Sequence, residues 1–149
     1  MPPKFSLQPV LDHRHNRVEV LEVEMGRLQA VRLLTESRLE AVCDERRRLF
    51  DVLRQQQAGA LNMAAIGQLR LNLKTVEGHI RRHETALADL VLQIERRRLE
   101  LVAANQDEET LATLKKKALE RQRAALAWQE NRQRDDLYIA RAYQQRQQP

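Results

Sequence analysis

Apolar residues recur by threes and fours from Val18 onward, and the repeat is what organises the chain. Val18, Leu21, Met25 and Leu28 open a heptad frame that continues through Leu39, Val42, Leu49 and Leu53. Arg32, Thr35 and Arg46 occupy the seam positions in between, and polar residues there specify register at some cost in stability. The pattern fades at Gln55-Gln56-Gln57-Ala58-Gly59-Ala60, where Gly59 is the expected turn and Asn62 the expected cap of the next helix. A second frame runs through Ile66, Leu69, Leu73, Val76, Ile80, Leu87, Leu90, Ile94 and Leu101, with His83 and Arg97 as polar members. Leu101 and Leu111 stand ten residues apart, which predicts a three-residue stammer. The frame is then expected to restart at Leu111, Leu114, Ala118, Ala125 and Trp128.

These two frames predict an all-α protein, a long antiparallel two-helix coiled-coil hairpin forming a single domain over residues 1–149. The first helix is expected over about 6–56, the turn over about 57–62 and the second helix over about 62–145. Ser6 is the expected N-cap, with Pro9 in the first turn, where its missing N–H costs little. No proline interrupts the span between Pro9 and Pro149. At 1.5 Å per residue the helices would be roughly 75 and 125 Å long, so the second overhangs the first by about 30 residues. A hairpin turning near residue 60 pairs residue i with about 120 − i. That register sets Arg96-Arg97-Arg98 near Glu22 and Glu24, and Asp107-Glu108-Glu109 near His13, Arg14 and Arg17.

Composition sharpens this. The chain is 32% charged and 3% aromatic, which suits a narrow seam between helices rather than a globular core. A rod offers no deep pocket, so action through partners is expected rather than enzymatic chemistry. No apolar run approaches the roughly 18 residues needed to span a bilayer. The start, Met1-Pro2-Pro3-Lys4-Phe5, lacks the features of a signal peptide, so a cytosolic protein is expected. Cys43 is the single cysteine, expected as a small helix residue beside the seam.

The net charge of +5 lies entirely in one region. Residues 112–149 carry nine basic residues and four acids, whereas the rest of the chain balances 17 against 17. That segment also holds Trp128, Tyr138 and Tyr143. An overhanging helix with basic residues and aromatic anchors is a candidate partner-binding element.

Candidate chemistry is sparse. There is no phosphate loop, dinucleotide fingerprint or nucleophile elbow. His79 and His83 share a helix face at i, i+4, but two histidines make a poor metal site, and a seam histidine beside a surface histidine is expected instead. No cofactor is expected. The arginine triplets are balanced by nearby acids and lack interleaved aromatics, so nucleic-acid binding is not expected.

The opening Phe5-Ser6-Leu7-Gln8-Pro9-Val10-Leu11-Asp12, followed by Arg14, resembles the start of the flagellar export protein FliJ family. The stretch from Leu114 to Ala127, with Lys115-Lys116-Lys117-Ala118-Leu119-Glu120-Arg121, is similar to that family's C-terminal helix. The resemblance implies a non-enzymatic stalk of the flagellar type III export apparatus. Its terminal end would enter a hexameric export ATPase, it would dock on the membrane export-gate protein, and it would help handle export chaperones. It would be cytoplasmic and peripherally associated with the inner membrane, without inserting into it. Carried onto this chain, ATPase binding falls to Phe5, Leu7, Val10, Leu11, Arg121, Arg123, Trp128, Arg132 and Arg134. Export-gate binding falls to Leu69, Leu73, Val76 and Ile80, residues that read equally as seam. Where the family often has an aromatic early in the second helix, this chain has Leu69 or Leu71. Two other readings stay open: the equivalent stalk of a virulence-type secretion system, and a generic coiled-coil scaffold that oligomerises through its seam.

Overall fold

Two helices account for nearly all of the described chain in the computed structural model, which describes residues 4–147. Helix α1 is Gln8–Gln57 and helix α2 is Met63–Gln147. Neither contains a proline beyond the first turn, and both are rich in straight-chain helix formers. The start of α1 differs from expectation. Ser6 lies in a turn before the helix, and the Leu11 amide donates to the Leu7 carbonyl at 3.0 Å, so Leu7 rather than Ser6 is the capping position. Pro9 still falls within the first turn, where no intrahelical donor is needed. The second start agrees with the sequence. Asn62 Oδ1 accepts from the Ala65 amide at 3.2 Å, while its carbonyl accepts from Ile66 at 3.0 Å. Gly59 sits in the bend between the helices without a positive φ.

The chain divides into two compact units. One is Glu19–Val102; the other combines Met1–Val18 with Ala103–Pro149. In the first, the hairpin unit, the seam is the heptad frame read from the sequence. Leu21, Leu49, Ile66, Leu73, Ile80, Leu90 and Ile94 are buried. Met25, Leu28, Leu39, Val42, Leu69, Val76, Leu87 and Leu101 are half-buried between them. The polar seam members are covered too. Thr35 is buried, its hydroxyl donating to the Val31 carbonyl at 2.8 Å, so its side-chain oxygen is not left unpaired. Arg97 Nε reaches Glu24 Oε2 across the helices at 3.4 Å, as the charge pattern predicts. Cys43 and His83 are half-buried, and His79 is exposed.

In the second, the terminal unit, the sequence expectation needs correction. Buried or half-buried positions on α2 run Ala104, Glu108, Leu111, Lys115, Ala118 and Gln122, alternating by four and three, with Leu119 half-buried beside Ala118. The ten residues from Leu101 to Leu111 are therefore an ordinary three-four-three step, and no stammer exists. Leu114, Ala125 and Trp128, expected on the seam, are exposed. Long polar side chains take seam positions instead because their aliphatic stems can cover apolar surface while their tips reach water. The pairing is antiparallel. Arg14 meets Asp107 at 3.5 Å, His15 Nδ1 meets Glu108 Oε1 at 2.6 Å, and Gln122 Nε2 donates to the Lys4 carbonyl at 3.2 Å.

Candidate partner-binding surface

Past Gln122, α2 loses most of its cover among the described residues. From Arg123 to Gln147 every residue is exposed except Ala142, which is half-buried. At 1.5 Å per residue this is roughly 37 Å of helix with both sides free. Such a segment has no packing of its own to hold it, so its helicity rests on local terms. Its arginines and aromatics provide some of these. The Arg132 guanidinium sits 5.3 Å from the Trp128 ring centroid, a cation–π contact one turn along the helix. Gln147 Nε2 donates to the Tyr143 hydroxyl at 2.9 Å, again at i, i+4.

The expected ATPase-facing residues lie in two places. Leu7 and Val10 are exposed, and Phe5 and Leu11 are half-buried, near the start of α1. Arg121, Arg123, Trp128, Arg132 and Arg134 are all exposed on α2, with Trp128 at 62%. These two sets belong to the same unit, and the Lys4–Gln122 contact brings the chain just before α1 against the α2 stretch that begins the unpaired segment. Leu69, Leu73, Val76 and Ile80 belong to the hairpin unit, and all four lie on its seam. Leu73 and Ile80 are buried, and Leu69 and Val76 keep a half-exposed edge.

The unpaired helix carries large apolar side chains on two faces. Leu126 and Leu137 are eleven residues apart, about three turns, so they share a face. Trp128 and Ile139 have the same spacing and share another, about 160° away from the first. A helix that lies on a flat partner shows one apolar stripe; this one shows two, nearly opposed. Tyr138 and Tyr143 are exposed as well. The sequence frame missed Leu126, Leu137 and Ile139, because a seam search tracks one face and passes over the others.

Ionic contacts on both helices are mostly local. Arg48 bonds both Glu45 carboxylate oxygens, and Arg98 both Glu95 oxygens, each at i, i+3. Those hydrogen bonds hold the Glu45 and Glu95 carboxyls below the usual carboxylate range and push the arginines up. Arg97 is pushed up chiefly by its hydrogen bond to Glu100, with Glu24 adding charge. Among the described residues no three or more His, Cys, Asp or Glu side chains are grouped so as to hold a metal ion. No helix of the described residues is long and apolar enough to cross a membrane.

Two long helices, paired antiparallel within each unit, define the class: a coiled-coil hairpin. The chain belongs to the flagellar FliJ protein family, which matches residues 3–148. Its fold is similar to that of a solved protein described as a proposed YscO homolog from Chlamydia trachomatis. That likeness has a TM-score of 0.72 at 18% identity and covers 98% of this chain and 99% of the other. No curated protein sequence matches the chain.

Proposed function

We propose that this protein is a non-enzymatic stalk of the flagellar type III export apparatus, seated by its terminal unit in the pore of a hexameric export ATPase. The observation that carries this reading is the pair of opposed apolar stripes, Leu126 with Leu137 and Trp128 with Ile139, on a helix that nothing among the described residues covers. A ring that encloses a helix touches it from several sides, and such a helix needs anchors on more than one face. Basic residues before and between the anchors, Arg121 and Arg123, then Arg132 and Arg134, would speed encounter with an acidic pore. Because six equivalent subunits meet one rod, the rod contacts only some of them at a time and biases their conformations.

Docking on the membrane export-gate protein would fall to the early turns of α2. There Leu69 and Val76 offer their exposed edges, while Leu73 and Ile80 hold the helix in place from the seam. Such docking would keep the protein cytoplasmic and peripheral at the inner membrane, where it would also meet export chaperones.

The test is a binding assay with the export ATPase of the same genome. The full chain, a chain ending after Leu111, and two paired variants would be compared. Binding by the full chain and none by the shortened one is expected. Trp128→Ala with Ile139→Ala, and Leu126→Ala with Leu137→Ala, should each weaken binding by about tenfold or more. If either pair leaves affinity untouched, one face alone is used and enclosure is wrong. If the shortened chain binds as well as the full one, the terminal unit is not the seat.

A further inference from the structure

The unpaired end is not the only vacant surface of the terminal unit. A shallow groove of about 470 Å³ runs between the start of α1 and the flank of α2. Its floor is apolar: Leu11 from α1, with Ala112 and Leu119 from α2. Its rim is charged. Lys115, Lys116 and Arg123 stand along it against one acid, Glu120. On α2, Ala112, Leu119 and Leu126 succeed one another at intervals of seven, so the apolar line runs out of the groove and along the free helix. Leu11 and Leu119 are half-buried, and Leu126 is exposed.

From this surface we infer a docking site for a third helix, an acidic amphipathic segment supplied by another protein. Three features select that occupant. The apolar line from Ala112 to Leu126 extends over four turns, roughly 21 Å, the length of a short helix and more than a single side chain or small ligand would use. Its seven-residue spacing matches the i, i+3, i+4, i+7 anchors of an amphipathic helix lying in a groove. The cations that flank it outnumber the single acid three to one, so the complementary flanks are Asp and Glu. A second copy of this chain fits poorly, because its own free helix carries the same excess of positive charge. The site goes beyond the ATPase reading: it shares Leu11, Arg123 and Leu126 with that reading but does not depend on it.

A fluorescently labelled peptide of about 20 residues tests the site directly, with leucines at the anchor positions and glutamates on the flanks. Controls are the same peptide with lysine flanks and a polyglutamate of equal length. The full-length protein should bind the acidic helix, reject the lysine version and prefer the helix to polyglutamate by about tenfold or more. Lys115→Glu with Lys116→Glu should weaken binding by a similar factor and flatten its salt dependence. Leu119→Asp should abolish binding, and Ala112→Gln, which narrows the groove without adding charge, should reduce it. Circular dichroism of each variant should match the parent. Equal binding of helix and polyglutamate would reduce the site to a charge attraction and overturn the proposal. So would indifference to Leu119→Asp, absence of binding, or a dimer in sedimentation that occupies the groove. Measuring ATPase binding by the full chain alongside separates the two readings. Failure of the peptide to bind while the ATPase binds sinks only this site, and the converse sinks only the stalk reading.

Discussion

Replacing Leu21 by alanine tests whether the seam or helix propensity holds this protein together. Leu21 is 1% exposed, the largest side chain among the described residues with essentially no contact with water. Truncating a fully buried leucine costs about 2–5 kcal/mol, the transfer term plus a cavity term. In a two-helix seam the walls of the cavity are open at the sides, so neighbours can close in and water can enter. The expected loss is therefore in the lower half of that range, about 2–3 kcal/mol. The matched control is Leu33→Ala, where the leucine is 66% exposed in the same helix and the same unit. Both changes alter helix propensity by the same small amount, so that contribution cancels between them. Leu33→Ala should move stability by no more than about 0.5 kcal/mol. Urea denaturation followed by far-ultraviolet circular dichroism reads both, with the slope of the transition checked for change. Equal losses from the two variants would mean that the heptad frame does not carry the stability, and the reasoning would fail.

Single contacts carry further consequences. Asn62→Ala removes the acceptor for the Ala65 amide and should cost about 1 kcal/mol, while Asn62→Asp should cost little; urea denaturation distinguishes them. Glu108→Leu places an apolar residue at a seam position that is 26% exposed at the side chain. The loss of its His15 contact costs at most about 1 kcal/mol, so thermal melting should show a net gain. Glu45 and Glu95 should titrate by nuclear magnetic resonance below the usual carboxylate range. Because their folded values are lowered, the support they give is present above the unfolded value and disappears as pH falls through the folded one. A value at or above the ordinary range would contradict the arginine contacts. Trp128, the single tryptophan, should show water-exposed emission in the free protein and shift to the blue when a partner covers it.

Much of the fold is legible from residue order alone because heptad spacing, turn and caps are local. Val18 to Leu53 and Ile66 to Leu101 repeat every seven residues, and only one face of a helix can satisfy such a repeat. Asn62 announces its cap because a short oxygen-bearing side chain before an apolar run has one good use. Arg97 finding Glu24 is a consequence of the turn position alone. The candidate surface was legible only in part. Charge excess and aromatics pointed to the end of α2, but not to the faces those residues occupy or to the groove beside Leu11.

Residue order is enough to set the helices, the turn and the hairpin seam, since period and breaker placement are properties of neighbouring residues. Which face of α2 is covered beyond Leu101 depends instead on packing. Leu114 and Trp128 look like seam residues by hydrophobicity, yet Ala104, Glu108, Lys115 and Gln122 hold those places. The reason is geometric: a continuous helix keeps its heptad phase, and the phase is set by where α1 lies rather than by which residues are most apolar. Once that phase is imposed, the leftover apolar side chains are turned outward, and the surface available to partners is fixed by what the seam did not use.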